Sequence, residues 1–381
     1  MRIAHVLTYV SADGAFGGPV AVMGALTGEL ARRGHDVEIF AGWDGRFRYT
    51  VPGVDVHLYR TRRVVPGGFS GLVAPGLRTT LRRRASDFDV VHVHLARDLV
   101  TTPAALAVAR SDRGAVLFVQ THGMVKPDTR ARSRVFDIGI RRILRRASGV
   151  LALNDVDEER IESVAHEPIS VLDLPNGVAS QPEHVRPERA APEVLFLARL
   201  QPRKRVMLFA EAARLVHERG VACSFVVVGP DEGDLEELRT FIERHDLSDV
   251  IVYEGSLPPG RGVARLAEAD VYVLPSLNEP FPMSVLEALS VGTATIISSS
   301  CHISRRLSDA GAVMTFDADV DELAEAISLL VTDGERRRRL SVNGRAAVES
   351  EFSIEHVVGR LEKYYEAATH HAGSHRGGHA E

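Results

Sequence analysis

Asn278 to Gly292 reads NEPFPMSVLEALSVG, and the residues on either side give it a place in a fold. Upstream, Asp270–Pro275 (DVYVLP) is a short apolar run with β-branched residues, the pattern of a buried strand. Ser276–Pro282 is a proline-rich turn, and Pro282 suits the first position of a helix, where no backbone N–H is required. From Met283 to Ser290 the residues Val285, Leu286, Ala288 and Leu289 form an apolar helical face, Gly292 follows as a stop, and Thr295–Ser298 reads as the next strand. The unit is strand, loop, helix, strand. A helix that opens in a crevice at the carboxyl end of a parallel strand offers unpaired N–H groups and the positive end of its dipole, here from Met283, Ser284 and Val285. Such a site suits a diphosphate. Glu279 stands just before the helix and Glu287 a turn or more inside it, so the two carboxylates can bond hydroxyls on opposite sides of that diphosphate, where a sugar nucleotide carries them.

The rest of the chain repeats this rhythm. At 381 residues it exceeds the roughly 250–300 residues of a single core, so two domains are expected. Ile3–Leu7, Asp36–Ala41, Val90–Leu95, Ala115–Gln120 and Gly149–Leu153 read as strands in the first half, with a helix near Val20–Arg33. Gln181–Pro192 (QPEHVRPERAAP) has three prolines and no apolar period, the composition of a linker. Beyond it Val194–Leu197, Ser224–Val228, Val250–Tyr253 and Val271–Leu274 restart the βαβ alternation of a parallel sheet. The division reads as domains 1–180 and 193–353 around a linker at 181–192, a bracing helix at 354–369, and a disordered, histidine-rich tail at 370–381.

Composition excludes several classes. The formal net charge is −5, unevenly divided, with 24 Lys and Arg against 19 Asp and Glu in residues 1–180 and 22 against 32 in the remainder. No nucleic-acid module accompanies it. Two cysteines, Cys223 and Cys301, supply neither a disulfide framework nor a cysteine metal site. No run of about 18 apolar residues is present, and MRIAHVLTYV lacks the apolar core of a signal peptide, which reads as a cytoplasmic protein. The loop Gly14–Pro19 (GAFGGP) is not G-x-G-x-x-G and there is no G-x-x-x-x-G-K-[ST], which disfavours nicotinamide and P-loop chemistry.

The segment from Glu279 to Glu287 resembles the E-x7-E motif of retaining GT-B glycosyltransferases of the glycosyl transferase group 1 (GT4-like) family. Phe196–Arg205 (FLARLQPRKR) resembles the same family's G-R-L-x-x-x-K-G, which implies Arg199 and Lys204 on a donor diphosphate, neutralising charge on the leaving group. Three departures stand out: Ala198 and Arg205 occupy glycine positions of that motif, and Pro282 stands where EPFG has its glycine. Gly17–Gly18 resembles the family's glycine loop that lets backbone approach the donor phosphate. Gln120–Met124 (QTHGM) resembles its H-G motif, implying that His122 orients the donor sugar. Gly229 in VVVGP, and Ser256 and Leu257 in YEGSL, match the strand ends that frame the nucleotide base, while Phe281, Pro282, Met283, Ser284 and Val285 line the phosphate side. His92 and His94 (VVHVH) alternate on one strand and read as structural or supporting groups.

The resemblance implies a GT-B fold: two Rossmann-like domains with parallel sheets facing a donor cleft and a C-terminal helix returning to the first domain. It implies a retaining hexosyltransferase that moves a sugar from a nucleotide-diphosphate donor to a polysaccharide, glycolipid or small-metabolite acceptor by a front-face mechanism, with catalysis carried by His122, Glu279, Arg199 and Lys204. No cofactor or essential metal is expected. The triplets Asp87-Phe88-Asp89, Asp155-Val156-Asp157 and Asp317-Ala318-Asp319 have ordinary roles before a strand or near helix starts. The alternatives are a catalytically silent sugar-nucleotide-binding partner protein and a GT-B epimerase. Arg132–Val150 reads as a basic helix with Phe136, Ile140, Ile143 and Leu144 on one face; it can bury that face in the core or rest on anionic lipid at the inner membrane face.

Overall fold

The computed structural model describes residues 1–11, 17–66, 68–110, 115–182, 184, 186, 189–258, 260–317 and 319–377. The chain divides into two compact units, Met1–Gly177 with Ile354–Glu381, and Val178–Ser353. Residues 181–192 therefore fall within the second unit.

In the first unit the elements are β1 (Arg2–Val10), α1 (Gly17–Arg32), β2 (Asp36–Trp43), β3 (Asp55–Arg60), the short ribbon β4 (Arg62–Arg63) and β5 (Leu72–Val73), and α2 (Leu77–Arg84). They continue with β6 (Val90–His94), α3 (Thr101–Val108), β7 (Val116–Gln120), α4 (Ala131–Leu144), β8 (Gly149–Ala152), α5 (Asp155–Ala165) and β9 (Val171–Asp173). Seven strands form a parallel sheet in the order β3-β2-β1-β6-β7-β8-β9. Val91 and Val93 of β6 and Leu117 and Val119 of β7 enter one core face, as a period of two requires, with helix residues such as Ala104, Ile140 and Ile161 packed over them.

The second unit repeats the plan: β10 (Glu193–Leu197), α6 (Val206–Glu218), β11 (Ser224–Val228), α7 (Leu235–Arg244), β12 (Ile251–Gly255), α8 (Gly262–Glu268), β13 (Val271–Leu274), α9 (Met283–Ser290), β14 (Ala294–Ser298), α10 (Ser304–Asp309), β15 (Met314–Phe316), α11 (Val320–Thr332) and α12 (Gly334–Ala347). Its six parallel strands run β12-β11-β10-β13-β14-β15. The order reverses between β10 and β13, and in open α/β sheets ligands bind at the carboxyl ends of strands at such a switch point. The closing helix α13 (Ile354–Gly377) belongs to the first unit. Glu362 takes Arg33 at 2.7 Å and His35 at 2.8 Å, Arg360 meets Asp173 at 2.6 Å, and Tyr365 is fully buried.

Residues 378–381 lie outside the described residues; as far as Gly377, the disordered tail expected over 370–381 is corrected by this helix. No proline interrupts it, and His371 Nδ1 bonds the Ala367 carbonyl one turn back at 3.0 Å. The strands β3, β9 and β15 are additions to the sequence reading; all three are edge strands, where burial is incomplete and the apolar pattern is diluted.

Candidate active site

The loops after β10 and β13 meet at the switch point of the second sheet. Leu277 N–H donates to the Arg203 carbonyl at 2.9 Å, and Lys204 Nζ donates to Glu279 Oε2 at 2.8 Å. Both side chains of this pair are buried, and Arg203 approaches the same oxygen at 3.5 Å. Burial pushes the Lys204 ammonium below its ordinary range; Glu279 opposes that effect and the nearby Arg203 and Arg199 add to it. Arg199 is not joined to Glu279: it is half-exposed and pairs with Glu232 at 2.9 Å. Arg205 takes a left-handed conformation with φ 57°. That strained angle explains why glycine suits the position, and why an arginine there costs roughly 1–2 kcal/mol.

Helix α9 begins at Met283, with Pro282 as its N-cap in an extended conformation, one position earlier than the sequence reading placed it. The Val285 N–H is already bonded to the Pro282 carbonyl at 3.1 Å, so it drops out of the expected set of free amides, leaving Met283 and Ser284. Ser284 Oγ accepts from the Tyr272 hydroxyl at 2.8 Å, which fixes the first turn against β13. Glu287 lies one turn on, its carboxylate with no hydrogen-bond or ion-pair partner among the described residues, and burial alone raises it. Phe281 is buried against Phe352 with ring centroids 6.3 Å apart.

The ends of β11 and β12 are tied together. Gly229 N–H donates to the Gly255 carbonyl at 2.9 Å, and the Tyr253 hydroxyl donates to the Gly229 carbonyl at 2.8 Å. A Cβ at Gly229 would stand 1.8 Å from the Ala198 carbonyl oxygen, so only glycine lets the two loops approach. Ser256 is exposed and Leu257 partly so just beyond. Sequence reasoning missed two buried groups on the Lys204 and Glu279 loops, Gln201 Nε2 and Ser276 Oγ, which have no protein partner. Buried polar atoms are seldom left so, and an unpaired pair in one loop cluster fits a polar ligand.

In the first unit, Gly17 and Gly18 open α1, while Gly14–Phe16 lie outside the described residues. His122 and Gly123 are the central residues of a tight turn, with φ 51° and 70°, closed by Met124 N–H to the Thr121 carbonyl at 2.9 Å. Asp157 braces the turn through the Thr121 hydroxyl at 3.2 Å and the Leu153 N–H at 3.1 Å; burial raises its carboxyl and these bonds oppose the rise. This role exceeds the dipole partnership expected of Asp157. Asp89 accepts from Arg2 N–H at 2.7 Å, and Asp319 caps α11 by accepting from the Asp321 and Glu322 amides; Ala318 of that triplet lies outside the described residues. Among the described residues no group of three His, Cys, Asp or Glu is arranged to hold a metal.

Residues 180–347 match the family described as glycosyl transferases group 1, and residues 17–177 match the glycosyl transferase 4-like domain. The chain is 27% identical over 415 aligned positions to MMP alpha-(1->4)-mannosyltransferase of Mycolicibacterium hassiacum, covering 97% of this chain and 98% of that one. It is 30% identical over 313 positions to D-inositol 3-phosphate glycosyltransferase of Actinosynnema mirum, covering 70% and 72%. The crystal structure of Anabaena HepE in complex with UDP superposes with a TM-score of 0.71 at 15% identity, covering 96% of this chain and 100% of that one. Its architecture is GT-B. The chain belongs to the glycosyl transferase group 1, GT4-like family.

Proposed function

We propose that this protein is a retaining hexosyltransferase that takes its sugar from a nucleotide-diphosphate donor and works without an essential metal. The observation that carries the reading is the buried Lys204–Glu279 pair beside the opening of α9, with the unpartnered carboxyl of Glu287 one turn further on. Lys204, Arg199 and the Met283 and Ser284 amides stabilise the departing diphosphate, Glu279 holds the transferred sugar, Glu287 holds the ribose, and His122 orients the sugar. E-x7-E does not supply a nucleophile pair about 5–5.5 Å apart, because its two glutamates address opposite ends of the donor. A front-face transfer, in which the leaving diphosphate helps deprotonate the acceptor, fits that set. HepE was crystallised with UDP, and the relatives are named for mannosyl transfer and for inositol phosphate, which supports a polyhydroxylated, often anionic acceptor. Turnover of UDP-, GDP-, ADP- and TDP-sugars, with the anomeric configuration of the product read by NMR, tests the reading; an inverted product or turnover unaffected by Glu279→Gln would refute it.

Helix α4 supports a peripheral contact with anionic lipid. Its inner face buries Ser133, Asp137, Ile140, Ile143 and Leu144, with Phe136 only partly covered. The outer stripe presents Val135 and Ile138, 69% and 71% exposed, between the exposed Arg134, Arg142 and Arg145. Val64 and Val65 are exposed as well, and Arg132 links α4 to their segment by donating to the Pro66 carbonyl at 2.8 Å. Exposed aliphatics framed by arginines suit an acyl–headgroup boundary, each cation adding about 1 kcal/mol near an anionic surface. No described helix is long and apolar enough to cross a membrane. Co-sedimentation with phosphatidylglycerol vesicles, absent with phosphatidylcholine and lost in Val135→Asp/Ile138→Asp, is the expected result, and equal binding to both vesicles would refute it.

A further inference from the structure

Four histidines touch one another in the first unit. His5 of β1 pairs in register with His92 of β6, and alternation puts His92 and His94 on the same face of the sheet, opposite Val91 and Val93. Ring centroids are 4.7 Å apart for His5–His92, 4.7 Å for His92–His94 and 5.0 Å for His94–His122. Two hydrogen bonds run through three of the rings in single file: His122 Nε2 to His94 Nδ1 at 2.7 Å, and His94 Nε2 to His5 Nδ1 at 3.1 Å. The two ends of the file, His122 Nδ1 and His5 Nε2, are shut from solvent and have no protein partner. His92 stands beside the file, its Nδ1 meeting the Tyr365 hydroxyl of α13 at 2.6 Å.

A neutral imidazole carries one N–H and one bare nitrogen. Burial brings His5 and His122 down to about 3 and holds His92 and His94 well below the ordinary histidine range, so every ring is neutral at neutral pH. Each shared bond needs one donor and one acceptor, so the three rings must carry their protons in the same sense, all on Nδ1 or all on Nε2. With all on Nε2, His5 buries an unpaired N–H at the sealed inner end of the file. With all on Nδ1, that end is a bare acceptor, and the unpaired N–H sits on His122 at the end of β7. Each sense leaves one N–H without a protein partner, but His122 is only partly buried, on a turn where a ligand oxygen can pair with either form, whereas His5 is wholly buried. The orphan that persists is the one at His5, and since orphaned N–H groups are rarer in protein interiors than under-satisfied acceptors, the Nδ1 sense wins.

We propose that His94 and His5 are positioning residues that lock His122 as its Nδ1–H tautomer, so that the turn after β7 offers a ligand oxygen a hydrogen-bond donor and not a base. The inference rests on the reading of His122 as the group that orients the donor sugar, and the ligand atom it fits is a sugar hydroxyl oxygen. Reversing the sense puts the N–H of His5 on Nε2, where no neighbouring protein group accepts it.

The test is the long-range 1H–15N spectrum of the full chain labelled at histidine, ligand-free and at neutral pH, with each ring assigned by substitution. His122, His94 and His5 are expected in the Nδ1–H form. His94→Phe keeps a ring in the stack and removes both nitrogens; it should release His122 into a tautomer mixture and lower kcat about tenfold, the worth of one oriented hydrogen bond. His94→Asn, whose amide can occupy the Nδ1–H position, should restore the Nδ1–H form. A wild-type His122 protonated on Nε2, or one whose tautomer ignores His94→Phe in a protein with unchanged circular dichroism, overturns the proposal. If His94→Phe does not fold, the wild-type and His94→Asn spectra decide alone. Tautomers are read without turnover, so a fully active His122→Ala enzyme would remove the sugar-orienting role while leaving the lock standing.

Discussion

Glu279→Gln separates the structural work of the Lys204–Glu279 pair from its chemical work. Among the described residues the Glu279 carboxylate is the one anion bonded to Lys204, at 2.8 Å, and it lies 3.5 Å from Arg203. Both members of the close pair are buried, so removing the carboxylate strands a cation that water reaches poorly and sets it against a second one. Breaking a buried pair from one side costs about 3–5 kcal/mol, and the partial exposure of Arg203 puts this case near the lower end, about 3 kcal/mol. For a unit of this size that is a fall in Tm of roughly 6–12 °C. Lys204→Met should cost less, about 1–2 kcal/mol, because Arg203 still faces the carboxylate. The double substitution should recover part of the difference, giving a coupling of about 2 kcal/mol. The same loss sharpens the site for an anion. With Glu279 gone, the plain nucleoside diphosphate no longer competes with a carboxylate for Lys204, and its Kd should tighten about tenfold. Turnover of the sugar nucleotide should fall. Thermal melts with and without the best-bound nucleoside diphosphate, together with calorimetric titration, read all of these. An unchanged Tm, or a nucleoside diphosphate bound more weakly by Glu279→Gln, would refute the assignment of Lys204 to the diphosphate.

Glu287→Gln should stabilise the ligand-free protein by about 1 kcal/mol at pH 7 and weaken donor binding, seen as a higher Tm with a raised donor KM. The sign follows from its raised carboxyl: the folded chain holds the proton more tightly than the unfolded chain, so the ionised group costs stability above its folded pKa and the cost fades as pH falls through it. The gain in Tm should therefore vanish in melts near pH 4, and a gain that persists there would count against burial as its cause. Gly229→Ala should lower stability by about 2 kcal/mol or more and weaken nucleotide binding, because the added Cβ meets the Ala198 carbonyl at 1.8 Å; an unaltered melt would show that the loop gives way at no cost. Dialysis against EDTA should leave the transfer rate unchanged, and a loss of rate restored by a divalent cation would refute metal-free transfer.

The alternation of strands and helices was legible because the central strands are buried on both faces and read as continuous apolar runs, as in Val226–Val228 and Val271–Leu274. α9 was legible, apart from the one-position shift of Pro282 to its N-cap, because Pro282, the apolar face and Gly292 bracket it. The histidine file was half visible: VVHVH set His92 and His94 on one face, but His5 hides in a strand (RIAHVLTYV) whose other buried residues are mostly apolar, and only the pairing of β1 with β6 brings it to His94.

Contacts of that kind set the limit on what the sequence reveals. Lys204 and Glu279 are 75 residues apart and meet because β13 lies beside β10, a strand order that no local pattern encodes. Arg199 and Lys204 stand five positions apart in one motif, yet the fold gives them different partners, Glu232 at the surface and Glu279 within. The difference follows from the backbone. The short helical turn Pro202–Lys204 and the left-handed Arg205 point Lys204 inward toward the β13 loop, while Arg199 leaves the end of β10 facing the β11 loop. An anionic ligand at this edge therefore meets two cations with unequal costs of release. Arg199 exchanges a half-exposed pair, worth less than about 1 kcal/mol, and Lys204 must exchange a buried one. Lys204 can leave Glu279 only for a partner that is itself anionic and desolvated, and that requirement makes it the more selective of the two for a diphosphate.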